Sequence, residues 1–177
     1  AGEGFEHRAA AAITHQQGLH HHPALPGQLE RPQEVFLALH LVGHVGPTDE
    51  DRAFVEWLRN AALDYPIHIR PGIEFNELQR LYQKSSIYWH ATGLGAIHPG
   101  GQEHFGISIV EAMSAGVVPV VINKGGPREI IKPGVNGYLW DSLSELKALS
   151  MHLIKEPQSL QKISTAAAID SRTFSVS

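Results

Sequence analysis

The sequence predicts an α/β fold, a parallel sheet covered by helices on both faces. Three observations carry it. Short apolar runs alternate with segments of helical periodicity from Val35 onward. Several runs end in Gly or Pro, as strands leading into loops do. The first run, Val35-Phe36-Leu37-Ala38-Leu39-His40-Leu41-Val42, is apolar almost throughout, as a strand buried on both faces must be.

That run is closed by Gly43. Thr48 is a plausible N-cap for a helix over Asp49 to Leu63, with Phe54, Trp57, Leu58 and Ala61 on one face. Ile67-His68-Ile69 is a second short strand, closed by Pro71-Gly72. A helix is expected over Asn76 to Gln83, then a strand at Ile87 to His90 and a Gly-rich loop from Gly93 to Gly101. A helix near Gly106 runs to Gly116 and leads into Val120-Val121-Ile122, with Pro119 expected as that strand's first residue because it cannot donate to a ladder. Gly125-Gly126-Pro127 opens a short helix, Gly137 to Trp140 forms an edge strand, and Ser144 to Lys155 and Ser159 to Ala168 are helical.

Residues 1–34 read differently, as an irregular segment that is a remnant of a first strand–helix unit, before a domain body at 35–177. A short helix is expected around Arg8 to Gln17; Gly18, Pro23, Pro26, Gly27 and Pro32 break the rest of the segment.

The chain has 177 residues, enough for one domain with a core. Fourteen Lys and Arg against 18 Asp and Glu give a net charge of −4, which offers no reason to expect nucleic acid as a partner. There are no cysteines, so disulfides and thiolate zinc sites are excluded. No apolar run approaches the ~18 residues of a membrane span. A soluble, cytoplasmic domain is the expectation, with any peripheral membrane contact left to the full-length protein. The 12 histidines include the cluster His20-His21-His22, which lacks a carboxylate or Cys at ligand spacing, so no metal site is assigned. His40, His68 and His90 are expected as packed strand residues. His44, His98 and His104, at strand ends or in loops, are better placed for function.

In parallel sheets ligands bind beyond the carboxyl ends of the strands. The loops at 43–48, 71–75, 91–106 and 123–127 should therefore share one edge. One stretch there carries chemistry: Glu103-His104-Phe105-Gly106-Ile107-Ser108-Ile109-Val110-Glu111. Two carboxylates flank a Phe-Gly turn at the start of a helix. Carboxylates accept hydrogen bonds from hydroxyls, and helix N-terminal amides favour an anion. Gly106 would let a diphosphate approach the backbone. Equally, Ser108-x-x-Glu111 fits a capping box, in which Glu111 only satisfies backbone amides.

The run from Glu103 to Leu139 resembles the donor-site signature of the retaining GT-B glycosyltransferases with an E-x7-E motif (glycosyl transferases group 1). The likeness rests on E-H-F-G-I-S-I-V-E-A-M-S-A-G, P-V-V, G-G-P-R-E-I-I and G-V-N-G-Y-L in order, with weaker likeness from about Val35 to Lys155. It implies a Rossmann-like domain, the C-terminal half of a GT-B fold. The donor substrate would be a nucleoside diphosphate sugar, with no other cofactor. Glu103 would meet donor-sugar hydroxyls and Glu111 the ribose; His104, Phe105, Gly106, Ile107 and Ser108 would form the turn facing diphosphate and sugar. Pro71 to Glu74, including Ile73 and Glu74, lies where such enzymes hold the base. Gly125, Gly126 and Glu129 match a supporting loop, and Lys124 and Arg128 are nearby cations. The resemblance also implies a missing N-terminal acceptor-binding domain, without which the chain would be inactive. The family's upstream Arg and Lys have no counterpart among residues 1–34, where Arg8 and Arg31 are the only Arg or Lys residues. Two alternatives stand: a non-catalytic nucleotide-binding or assembly domain, and another GT-B-like enzyme such as a sugar-nucleotide epimerase.

Overall fold

The structure, a computed structural model, describes residues 10–17, 35–95 and 103–174. Six strands form one sheet in the order β3-β2-β1-β4-β5-β6: β1 (Ala10–Gln17), β2 (Val35–Gly43), β3 (Ile67–Pro71), β4 (Ser85–His90), β5 (Val118–Ile122) and β6 (Tyr138–Trp140). Six helices accompany them: α1 (Asp49–Ala62), α2 (Phe75–Lys84), α3 (Ile107–Ser114), α4 (Pro127–Ile130), α5 (Leu143–Lys155) and α6 (Pro157–Asp170). A 3₁₀ turn, Ser171–Phe174, closes the described chain.

The pairs β2–β3, β4–β5 and β5–β6 are parallel, as expected. The expected helix over Arg8 to Gln17 is instead the strand β1, antiparallel to β2 from Ala10↔Val42 to Gln17↔Val35 and to β4 on its other side. An alanine run favours helix on propensity alone, but two flanking strands offer the backbone partners on both edges, and tertiary pairing overrides a weak local preference. The sheet is therefore mixed, with its one reversed strand at the centre.

Alternation along the strands separates two packed faces. Ile87, Val118, Val120 and Ile122 join Trp140, Leu153 and Ile163 on one side. Tyr82, Tyr88, Ile109, Ala112, Met113 and Val121 pack on the other, closed by Ile130, Ile131 and Ala167. Local signals set the helix ends. Thr48 caps α1 and Ser142 caps α5, each with a capping box completed by Asp51 and Glu145.

Two expectations shift. On α1 the buried residues are Asp51, Val55 and Ala62, whereas Trp57 is 61% exposed and Phe54 and Ala61 also face outward. Phe54 and Trp57 stack on each other at 5.7 Å. The helix turns a face one residue away from its bulkiest side chains toward β3. Pro119 is the second residue of β5, not the first, and its ring lies against Gly137, where a Cβ would stand 2.6 Å from Cγ.

Candidate functional site

Strands β2 and β3 both end at the same edge, where the Gly72 amide donates to the Gly43 carbonyl at 2.8 Å. The turn before α3 reaches the same edge from β4. Between them lies a cleft of about 320 Å³ lined by Gly43, His44, Gly72, Ile73, Phe105 and Ile107, with Glu103, Ser108 and Glu111 as its polar side. Leu78 and Tyr82 on α2 complete it. A volume in this range, mostly apolar with a few convergent polar groups, is that of a small-molecule site. The grooves on the face of Leu39, Leu41 and Trp89 are more apolar in character and hold no such carboxylate pair.

The turn is built by glycine and by a carboxylate. Gly106 is the N-cap of α3 with φ 66°, a left-handed conformation, and a Cβ there would come within 2.9 Å of Ile130 Cδ1. Packing from below thus requires Gly106 in addition to any ligand above. Glu103 Oε1 accepts from the amides of Phe105 (3.2 Å) and Gly106 (3.1 Å). Its Oε2 lies 3.5 Å from Nε2 of His90. Burial pushes the Glu103 carboxyl upward, but the Gly106 and Phe105 amides and His90 together outweigh it, and the net direction is down. Glu103 is thereby held as a carboxylate. The Gly126 amide donates to its backbone carbonyl at 2.9 Å, and a Cβ on Gly126 would be 2.1 Å from the His104 carbonyl oxygen. The Gly125–Gly126 loop therefore buttresses the turn.

Helix α3 begins at Ile107, and no side chain caps it. Ser108 lies inside the first turn, where its hydroxyl accepts from Tyr88 Oη at 2.9 Å. That disposes of the capping-box arrangement for Ser108 and Glu111. Glu111 stands three residues beyond Ser108 on the cleft side of α3. The amides of Ile107 and Ser108 precede Ile109, whose amide is the first to donate within the helix, and are available to an anion. Phe105 and Ile107 are 77% and 60% exposed at the cleft mouth.

Of the residues expected from sequence, Ile73, Glu103, Phe105, Ile107, Ser108 and Glu111 line this cleft, and the amide of Gly106 holds Glu103 beside it. Glu74 is the N-cap of α2, and neither it nor His104 lines the cleft. His44 does line it, whereas His98, His20, His21, His22, Arg8 and Arg31 lie outside the described residues. Lys124 donates to the Gly93 carbonyl at 3.2 Å and Arg128 clasps Asn123, so both brace loops.

Three side chains in or behind the cleft carried no functional reading from the sequence: Tyr82, Tyr88 and His90, the last expected as a packed strand residue and found so at 2% exposure. Tyr88 and His90 occupy alternate positions of β4 and share the cleft face, their rings 6.4 Å apart. Burial pushes both tyrosine hydroxyls well above their ordinary range. The signal for His90 was present, since a polar residue at the last position of a buried parallel strand lies at the ligand-binding edge.

Comparison with known proteins points the same way. The sequence profile of the family "Glycosyl transferases group 1" matches residues 10–169, beginning inside the segment 1–34. A Dictyostelium discoideum protein, GDP-Man:Man(3)GlcNAc(2)-PP-Dol alpha-1,2-mannosyltransferase, is 36% identical over 126 residues, covering 68% of this chain and 23% of the relative. The chain thus spans about a quarter of the length of the curated relatives it matches. Among solved structures, Anabaena HepE in complex with UDP-glucose superposes with a TM-score of 0.60 at 23% identity, over 76% of this chain and 35% of that one. The C-terminal domain of a glycosyl transferase group 1 protein from Francisella tularensis gives a TM-score of 0.60 at 22% identity, over 73% and 67%. At these identities the structural likeness speaks for the fold.

Proposed function

The chain belongs to the group 1 glycosyl transferases, and on that premise we propose that it is the donor-binding domain of a retaining glycosyltransferase. The site is assigned to the body at 35–177, to which the preceding segment adds β1. The observation that carries the proposal is the meeting, in one cleft, of two carboxylates eight positions apart with the first amides of α3. A nucleoside diphosphate sugar offers the matching groups: hydroxyls on ribose and sugar, and a diphosphate between them.

In this assignment Glu111 receives the ribose hydroxyls and Glu103 the sugar hydroxyls. The diphosphate lies over the amides of Ile107 and Ser108, where the α3 dipole favours negative charge. The base rests near Ile73 and Gly72, against the end of β3. When the bond from the anomeric carbon to the diphosphate breaks, charge grows on the departing phosphate oxygen, and fixed amides aimed there lower the barrier. Glu103 and Glu111 bind hydroxyls, and neither is assigned as a covalent nucleophile. The acceptor, held by a domain outside this chain, supplies the attacking hydroxyl, so the chain alone binds donor without turnover. Among the described residues no helix is long and apolar enough to cross a membrane; contact with a lipid-borne acceptor would fall to the rest of the protein.

Calorimetric titration with GDP, UDP and ADP and with GDP-mannose and UDP-glucose tests this. The Dictyostelium relative's name gives GDP-Man as its donor, and HepE was solved with UDP-glucose, so both bases are informative. Glu111→Ala should weaken nucleoside diphosphate binding by roughly 10- to 100-fold, the loss of a hydrogen bond to a charged group worth about 1.5–3 kcal/mol. Unchanged affinity would refute the ribose assignment.

A further inference from the structure

His90 is the last residue of β4 and is 2% exposed. Its ring sits beneath the turn that carries Glu103, with Nε2 3.5 Å from Oε2. The other ring nitrogen, Nδ1, is buried with no hydrogen-bond partner among the described residues. That pattern selects a protonation state. A proton on Nδ1 would be a buried donor with no acceptor, which is costly. The proton therefore belongs on Nε2, facing the carboxylate, and the ring is neutral. Burial pushes the His90 pKa down, and Glu103 offsets this only in part.

The two oxygens of Glu103 are held differently. Oε1 is bound by two amides of its own turn, a local contact within the loop. Oε2 faces a side chain rooted in the sheet. We propose that His90 is a positioning residue for Glu103: as a neutral Nε2–H donor it fixes the carboxylate to the sheet, so that the remaining lone pairs are aimed into the cleft at a sugar hydroxyl. This rests on the donor-site reading above. It assigns a task to a histidine that does not itself line the cleft.

The role predicts a selective defect. His90→Phe keeps the volume and removes the donor; His90→Gln restores an N–H near the Nε2 position. Calorimetry with the pairs GDP-mannose and GDP, and UDP-glucose and UDP, gives the affinity of sugar nucleotide relative to nucleotide. In His90→Phe that ratio should fall about tenfold while nucleotide affinity holds, and His90→Gln should recover it to within about threefold. An unchanged ratio in His90→Phe overturns the proposal, as does a loss shared equally by nucleotide and sugar nucleotide, which is a merely structural effect. Nitrogen-15 NMR of histidine-labelled protein gives a ligand-free readout. The expected result is a neutral His90 with its proton on Nε2, whose signal moves in Glu103→Gln; a cationic ring at neutral pH, or a proton on Nδ1, overturns the proposal. If the unmodified chain binds none of these nucleotides the donor reading fails, and the NMR result still decides the His90–Glu103 contact.

Discussion

On one face of the sheet Trp140, Leu153 and Ile163 close over Ile87, Val118, Val120 and Ile122, and the polar atoms there are satisfied internally. Trp140 Nε1 donates to the Val120 carbonyl at 3.2 Å, and Trp89 Nε1 donates to Ser150 Oγ at 2.8 Å. On the opposite face Tyr82, Tyr88, His90, Ser108 and Glu111 sit among Ile109, Ala112 and Met113. Both faces bury apolar side chains, and the second alone gathers a pair of carboxylates, Glu103 and Glu111, about its cleft. Apolar burial stabilises either face at roughly 25 cal/mol per Å², so the polar residues of the second are a cost that folding alone does not explain. The proposed donor site would account for them.

The sharpest way to break this contrast is on the dry face. Trp140→Ala should cost about 3–5 kcal/mol through lost burial and a cavity, read as a lower urea midpoint at unchanged slope. Nucleotide affinity of the protein that remains folded should be unaltered; a parallel loss would mean that the faces are coupled.

A pH series probes the site face next. His40, beside the stacked ring of His68 at 4.8 Å, has its pKa lowered to about 4, first by burial and then by Arg70 and His68. The unfolded chain keeps the ordinary value near 6.5 and so takes up the proton first as pH falls. Its contribution is therefore complete above pH 6.5 and is lost between about 6.5 and 4, by something on the order of 2–3 kcal/mol after solvent screening. His40→Gln should flatten the stability profile in that window; an unchanged slope would assign the acid sensitivity elsewhere.

Smaller effects sharpen the picture. Tyr88→Phe removes the donor to Ser108 and should cost about 1 kcal/mol in stability, since half-buried Ser108 can bind water instead. Its measurable signature is weaker nucleotide binding, because Ser108 sits on the first turn of α3. Arg59→Ala, which deletes an exposed pair with Glu56 away from both faces, should change denaturation by less than about 0.5 kcal/mol.

Much of the fold is legible in the sequence where local chemistry and tertiary need agree. Thr48 marks the start of α1, Pro127 opens α4, and the apolar runs at Val35 and Val118 mark strands, the second buried throughout and the first, from Leu37 to Gly43, buried only at His40. The start of α3 beside Gly106 was visible for the same reason: a turn needing positive φ leaves a glycine. Elsewhere the signal was ambiguous or misleading. The alanines of β1 favour helix in isolation. The aromatic residues of α1 suggested its buried face, but Val55 and Ala62 hold that place. Ser108-x-x-Glu111 fits a cap in sequence, and the structure rules that out by placing the N-cap at Gly106 and tying the Ser108 hydroxyl to Tyr88 of a strand 20 residues earlier.

The sequence by itself determined the α/β alternation, the family and the carboxylate pair on which the proposed donor site rests, because period, turn residues and motif order are local properties. The tertiary structure decided which strand lies at the sheet centre and in which direction, which face of α1 is buried, and that His90 stands under Glu103. Those outcomes depend on contacts between segments distant in the chain. Backbone pairing and burial are settled there by whichever partner is within reach, a quantity that no local pattern encodes.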